Sequence, residues 1–224
     1  MFNSSAYADE TSLETITVTA SRTPLLVKDS GSSISIINKE QILRRNASNL
    51  GELLRDIPGL AVSQQGSTGA ITQVRVRGSE ANQLLVLIDG VEANDISQGS
   101  EFNFTHLMPN QVERIEIVRG PQSALWGSDA LSGVINIITA PGSDLASSER
   151  EVKTYGYAEG GSFNTLKTGI ALQHVSDRNQ LKISADYLDT DGTNISRTGN
   201  EDDGYRNTTV NLSGKFNATN NLGI

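Results

Sequence analysis

The residues best suited to chemistry gather in one acidic stretch. Asp189, Asp191, Glu201, Asp202 and Asp203 supply five carboxylates, and Asn194 and Asn200 add two carboxamides. Hard cations such as calcium take about six to eight oxygen ligands from such groups. The candidates for a calcium site are Asp191, Asn194, Glu201, Asp202 and Asp203; a plainly solvated acidic loop is the competing reading. The spacing is not that of an EF-hand, whose loop ends on a fixed Glu. Little else in the chain suggests chemistry. It has no Cys, which removes thiol nucleophiles, thiolate metal sites and disulfides. Its two histidines, His106 and His174, are far apart in sequence and read as ordinary structural or surface residues. The Gly-rich run Gly59–Ala70 lacks the Gly-Lys-Ser/Thr of a phosphate cradle. No triad or carboxylate pair stands out, so an enzyme is not expected. A net charge of -8 argues against a nucleic-acid surface.

The elements that would position these residues fall into two textures. In the first, Ser33–Ile37 reads as a strand, and Asn38 with Gln41 forms a capping-box pattern for a short helix. A second helix follows, with Ser48 as cap and Leu50, Leu53, Leu54 and Ile57 on one stripe; Pro58-Gly59 stops it. Gly59–Ala70 reads as a flexible loop. Val74–Gly78 alternates Val with Arg, and Leu84–Asp89 is a buried strand ending in an Asp-Gly turn. A second polar loop spans Val91–Phe104. The stretch Val112–Thr139 then gives a strand, one helical turn opened by Gly120-Pro121 and closed by Gly127, and a second strand.

Beyond a Ser-rich linker the patterning changes to period two. Thr154–Gly160, Leu166–Val175, Leu181–Leu188 and Tyr205–Phe216 read as antiparallel up-and-down strands. Leu166, Thr168, Ile170 and Leu172 share one face, and Lys167, Gly169, Ala171 and Gln173 the other. No run approaches the roughly 18 apolar residues of a transmembrane helix, but a transmembrane strand needs only about 9 to 11 alternating ones. Near the start, Ala6-Tyr7-Ala8 has the form of a signal-peptidase site. Glu14-Thr15-Ile16-Thr17-Val18-Thr19-Ala20 is strongly β-prone yet has no partner strand nearby. Such a segment in a polar leader suits edge-strand addition to another protein.

Taken together, V-E-R-I-E-I-V-R-G-P, W-G-S-D-A and G-V-I-N-I-I-T resemble the closing signature of the plug domain of TonB-dependent outer-membrane receptors. The resemblance implies an α+β plug, a small mixed sheet with short helices, followed by about four antiparallel strands of a transmembrane β-barrel. The implied division is 1–8 signal-peptide remnant, 9–27 leader with the box-like segment, 28–141 plug, 142–151 linker and 152–224 start of the barrel. Glu14–Ala20 would then be the TonB box, the handle for a TonB-type energy-transducing partner. Gln64, Gln65, Ser67, Thr68, Asn94, Asp95 and Ser97 would lie on outward-facing apices that touch ligand. Arg75, Arg77 and Arg119 would meet carboxylates of the barrel wall.

Within the family the pattern is most similar to cobalamin transporters, whose corresponding acidic loop binds calcium. The loop here is shorter, and Glu201 stands where Asp is usual, so siderophore and haem complexes stay open as ligands. The implied setting is the outer membrane of a Gram-negative bacterium, with membrane lipid and a metal chelate as partners and no nucleic acid. Such barrels close at about 22 strands. The expectation is therefore an N-terminal portion of a receptor, a truncated product or one piece of a split assembly. The alternative is a soluble periplasmic binding or interaction module.

Overall fold

In the computed structural model of the chain, the described residues are 17–18, 25–26, 30–139, 151–176, 179–196, 198–199, 201–219 and 222–223. The expected signal-peptide tail and most of the leader and linker lie outside them. Of the box-like segment, only Thr17 and Val18 are described. They form β1 (Thr17–Val18), which pairs antiparallel with β2 (Leu25–Leu26), so, contrary to expectation, this part of the segment has a partner strand close in sequence.

The first globular part is built on a five-stranded mixed sheet. Its members are β3 (Ser33–Asn38), β6 (Leu84–Ile88), β7 (Val91–Glu92), β8 (Arg114–Arg119) and β9 (Gly133–Ile138), in the order β3-β8-β9-β6-β7. Only β6 and β9 run parallel. Every residue of the central β9 is buried, as its GVINII run suits, because a strand covered on both faces is near-continuously apolar; the one polar residue, Asn136, accepts from the Gly90 amide at 3.2 Å. Successive residues feed opposite cores. Leu84, Val86, Ile115, Ile117, Ile135 and Ile137 pack with the helices α1 (Lys39–Arg45) and α2 (Leu50–Leu54). Leu85, Leu87, Val118 and Val134 pack with Ala130 and Trp126 on the other side. Trp126 ends the single helical turn α3 (Ser123–Trp126).

The local chemistry explains most boundaries. Asn38 caps α1 and Gln41 completes the capping box, as its spacing requires. The cap of α2 is Asn49, not Ser48: the Asn49 side chain accepts from the Glu52 amide, one register later than expected. Half of the expected loop Gly59–Ala70 is strand, because Leu60, Val62 and Gln64 of β4 (Leu60–Gln64) find Val76, Val74 and Thr72 of β5 (Thr72–Val76) opposite them. Pro121 is not the first residue of α3; Gln122 takes the cap position without a side-chain bond to the helix, and Gly127 leaves at φ 86°, ψ -162° rather than in the left-handed helical region.

The second part is a sheet of strands paired in sequence order: β10 (Glu151–Gly161), β11 (Thr165–Val175), β12 (Asn179–Thr190), β13 (Tyr205–Thr219) and the short β14 (Leu222–Gly223). Cross-strand register sorts its faces. Leu172, Ile183 and Leu212 form one outward row, and Ile170, Ala185 and Val210 the next. Ile170 is 56%, Val210 69% and Leu212 70% exposed, an apolar band on the outward face that nothing covers among the described residues. Tyr187 closes this band at one level, and the Asp189–Arg206 pair at 3.0 Å lies above it. At about 3.4 Å per residue, Leu181 to Tyr187 spans about 20 Å, close to the apolar belt of an outer-membrane strand. The opposite face is polar where it meets the plug: Gln173, Lys182, Ser184 and Asp186 are buried there.

Candidate functional site

Among the described residues the plug meets this wall at several places, Lys167 Nζ donating to Ser48 Oγ at 3.0 Å among them, and two contacts, one at each level, are the most extensive. The first is at the end that carries the 162–164 turn and the 191–204 loop. There β4 and β5 present the turn 65–71, whose Gln64 Nε2 donates to the Ser67 carbonyl at 2.7 Å. The Ser67 hydroxyl reaches the Asp203 carbonyl at 3.5 Å. Gly69, at φ 96°, lies so close beneath the Tyr205 ring that a Cβ there would sit 2.1 Å from it. Only glycine meets both the backbone angle and the clearance. The Tyr205 hydroxyl is 3.1 Å from His106 Nδ1, and the two rings stack with centroids 6.3 Å apart. Asn207 Nδ2 donates both to that hydroxyl, at 3.1 Å, and to the His106 carbonyl, at 2.9 Å.

The expected ligand residues divide in this geometry. Gln65 and Thr68, both exposed, and Ser67, half-buried, lie on the apex beside the wall loop. Asn94 is structural: its Oδ1 accepts from the Val86 amide, and its Nδ2 donates to the Leu84 and Ser100 carbonyls. Asp95 and Ser97 are exposed but bonded to each other, since Asp95 caps the following turn through Ser97 and Gln98. These bonds hold the Asp95 carboxyl below the usual carboxylate range, the Ser97 hydroxyl contributing most. The two apices are tied by Gln73, which donates to Glu101.

The three arginines do not reach the wall among the described residues. Arg75 donates to Ser63 Oγ and Gln73 Oε1, both at 3.0 Å, within the β4–β5 hairpin. Arg119 donates to the Pro58 carbonyl at 2.7 Å and to Ser33 Oγ. Arg77, itself at φ 51°, lies beside it across Gly59. Burial first, and then the Arg77 charge, pull the Arg119 guanidinium below its ordinary value. A pair of like charges held together in this way favours a carboxylate neighbour.

The second contact is one the sequence reading missed. Lys182 of β12 donates to the Gln111 carbonyl at 3.0 Å, to the Glu113 carboxylate and to the Thr139 carbonyl at 3.4 Å. Two residues along the same inward row past Ser184, Asp186 accepts from Gln111 Nε2 at 3.0 Å and from the Tyr157 hydroxyl at 2.8 Å. On the plug side, Lys39 donates to the Asn110 and Val112 carbonyls at 2.6 and 2.8 Å and lies 3.6 Å from Glu113. Desolvation dominates at Lys39 and lowers its pKa to about 8, against the opposing pull of Glu113. A cavity of about 650 Å³ opens beside this network, lined by Lys39, Glu113, Tyr157 and Ser184 among others. The available signal was the polar set Lys182, Ser184 and Asp186 alternating with outward Leu181, Ile183 and Ala185: charge on an inward face needs a partner.

The described side chains of the acidic loop turn to backbone groups rather than to a common centre. Asn194 Nδ2 donates to the Gly199 carbonyl, its Oδ1 accepts from the Ser196 amide, and Asp203 Oδ2 accepts from the Ile195 amide. Among the described residues no group of three acidic or imidazole side chains converges to hold a metal. As placed, Asp191, Asn194, Glu201, Asp202 and Asp203 do not fit a calcium ion.

Residues 27–134 match the TonB-dependent Receptor Plug Domain family. The chain is 34% identical over 186 residues to the vitamin B12 transporter BtuB of Vibrio vulnificus (strain CMCP6), covering 81% of this chain and 29% of that protein. Among solved structures, the siderophore receptor PirA from Pseudomonas aeruginosa is 26% identical, with a TM-score of 0.57 over 84% of this chain and 32% of its own. A ferric enterobactin receptor (PfeA) mutant from the same organism superposes with a TM-score of 0.64 at 22% identity, over 86% of this chain and 31% of its own, and speaks to the fold alone. The chain thus spans about a third of the length of the relatives it matches. With its plug sheet, its apices and the amphipathic strands that follow, the chain belongs to the TonB-dependent receptor family.

Proposed function

We propose that the chain supplies the plug and first wall strands of an outer-membrane receptor for energy-coupled uptake of a metal-containing nutrient. Cobalamin is the first candidate, and ferric siderophore or haem complexes are the alternatives. One observation carries this reading: the 186-residue match to a vitamin B12 transporter is longer than the plug match over 27–134, so it extends into the wall strands. The apex 64–70 seated beneath Tyr205 supports it, because it places exposed polar groups at a mouth framed by plug and wall together. The apolar outer band supports membrane lipid as its surroundings rather than a soluble module.

In this reading Glu14–Ala20 is pulled by a TonB-type partner through strand addition. Proline at Ile16 or Val18 then removes a main-chain donor and abolishes uptake. Arg77 and Arg119 meet carboxylates of wall strands beyond those described. Calcium belongs to the proposal only as an ion that draws the Asp203 carboxylate and the Asn194 carboxamide out of their present backbone bonds.

The test is equilibrium binding to outer membranes carrying the receptor, titrated with cyanocobalamin, a ferric catecholate and haemin. Saturable cobalamin binding weakened by Gly69→Ala is the expected result. Saturable binding of only one of the other two moves the assignment to that ligand, and no saturable binding of any overturns the receptor reading.

A further inference from the structure

One plug segment touches the wall at both of its ends. His106 meets Tyr205 and Asn207 of β13 at the loop end. Farther along, Gln111 and Glu113 grip Lys182 and Asp186 of β12. Little slack lies between them. Pro109 fixes a backbone angle at the start of a tight turn, which is closed by the Gln111 amide on the Met108 carbonyl and the Val112 amide on the Pro109 carbonyl, each at 3.1 Å. Met108 and Val112 are anchored in the interior at 3% and 0% exposure, and the Glu113 amide is bonded to the Ile138 carbonyl at 2.7 Å.

The seam end also holds unused hydrogen-bonding capacity. Gln111 Oε1 and Ser184 Oγ are buried without a partner, one on each side of the contact. Pro109, Asn110 and Glu113 border the 650 Å³ cavity, which gives this end room to shift. A stiff segment with firm contacts at one end and spare donors, acceptors and space at the other transmits displacement rather than absorbing it.

The geometry points to His106–Glu113 as a coupling strap. Tyr205 and Asn207 are positioning residues that set, through this strap, the grip of Gln111 and Glu113 on Lys182 and Asp186. A displacement of the wall loop at the mouth is thereby felt at the seam, whichever ligand causes it.

Tyr205→Phe tests this in the purified chain in detergent, since it keeps the ring over Gly69 and removes only the hydroxyl bonds. Amide hydrogen exchange at Gln111 and Val112 is expected to rise about three- to tenfold, the scale of one lost hydrogen bond, with Ile117 in the plug core unchanged. Asn207→Ala, which removes the other upper contact, gives the same pattern. Reciprocity requires Lys182→Met to raise exchange near His106. Exchange that changes only at 103–107 in both upper variants overturns the strap. So does an equal rise at Gln111 from Thr208→Val, because Thr208 lies on the outward face and its variant reports general loosening.

Discussion

Replacing Lys182 with Met removes the charge at the centre of the plug–wall seam while keeping the length of the side chain. Its ammonium is 5% exposed and bonds two plug carbonyls and the Glu113 carboxylate. Removing one member of a fully isolated buried pair costs about 3–5 kcal/mol. Here Glu113 is 18% exposed and keeps Lys39 at 3.6 Å, and the Thr139 carbonyl keeps Ser213 Oγ at 3.5 Å, so the loss is about 2–3 kcal/mol. The chain has a single Trp, Trp126, packed on the plug sheet, so its fluorescence in a urea titration reports plug unfolding. Lys182→Met lowers that unfolding free energy by the stated amount. Glu113→Gln is destabilising alone but adds little to Lys182→Met, giving a coupling energy of about 1 kcal/mol or more. A loss under about 0.5 kcal/mol with additive single variants would mean that the seam is not fastened by this pair.

Three further outcomes follow from single features. Gly133→Ala places a Cβ 2.5 Å from the Val118 carbonyl, forces β8 and β9 apart and destabilises the plug by about 1–3 kcal/mol in the same urea assay; wild-type stability would show that the sheet yields freely there. Lys39 holds its proton less tightly folded, at about 8, than unfolded, at 10.5, so its penalty is complete below pH 8 and is relieved as pH rises from 8 to 10.5. Unfolding free energy therefore climbs across that window relative to Lys39→Met, and equal slopes would refute the burial of its charge. Millimolar calcium is expected to protect 191–203 from proteolysis if the loop closes on an ion, and an unchanged digestion pattern removes calcium from the proposed function.

The sequence was most informative where one physical demand dominated. Burial on both faces makes β9 apolar but for Asn136, and an exposed apolar face makes Leu181, Ile183 and Leu212 alternate with polar neighbours, so strands and faces were legible. The capping box at Asn38 was legible because it is local. Choices between adjacent equivalents were not: Ser48 and Asn49 are both good caps, and only the position of Glu52 in the folded helix selects Asn49. The seam was illegible for a different reason. Lys39, Glu113 and Lys182 lie on different elements, the start of α1, the segment before β8 and β12, and each alone reads as a solvated charge. Asn94 misled because a loop Asn looks like a ligand contact until the Val86, Leu84 and Ser100 backbone groups are seen to occupy it.

The distribution of apolar surface explains why the seam is ionic at all. The plug sheet spends its apolar residues inwardly, on two cores of its own, and the wall spends its own outwardly. What is left between them is Lys39, Gln111, Glu113, Lys182, Ser184 and Asp186. A hydrophobic contact of the same extent would fuse plug and wall into one core, with no preference among nearby registers. Buried ion pairs add little net stability, because desolvation consumes most of the attraction, but a misplaced one is costly. The plug is thus held in one register without being welded there. A body that sits firmly in a wall without being fused to it requires that combination, and Gln111 Oε1 and Ser184 Oγ, both buried without a partner among the described residues, mark where a second register would find its bonds.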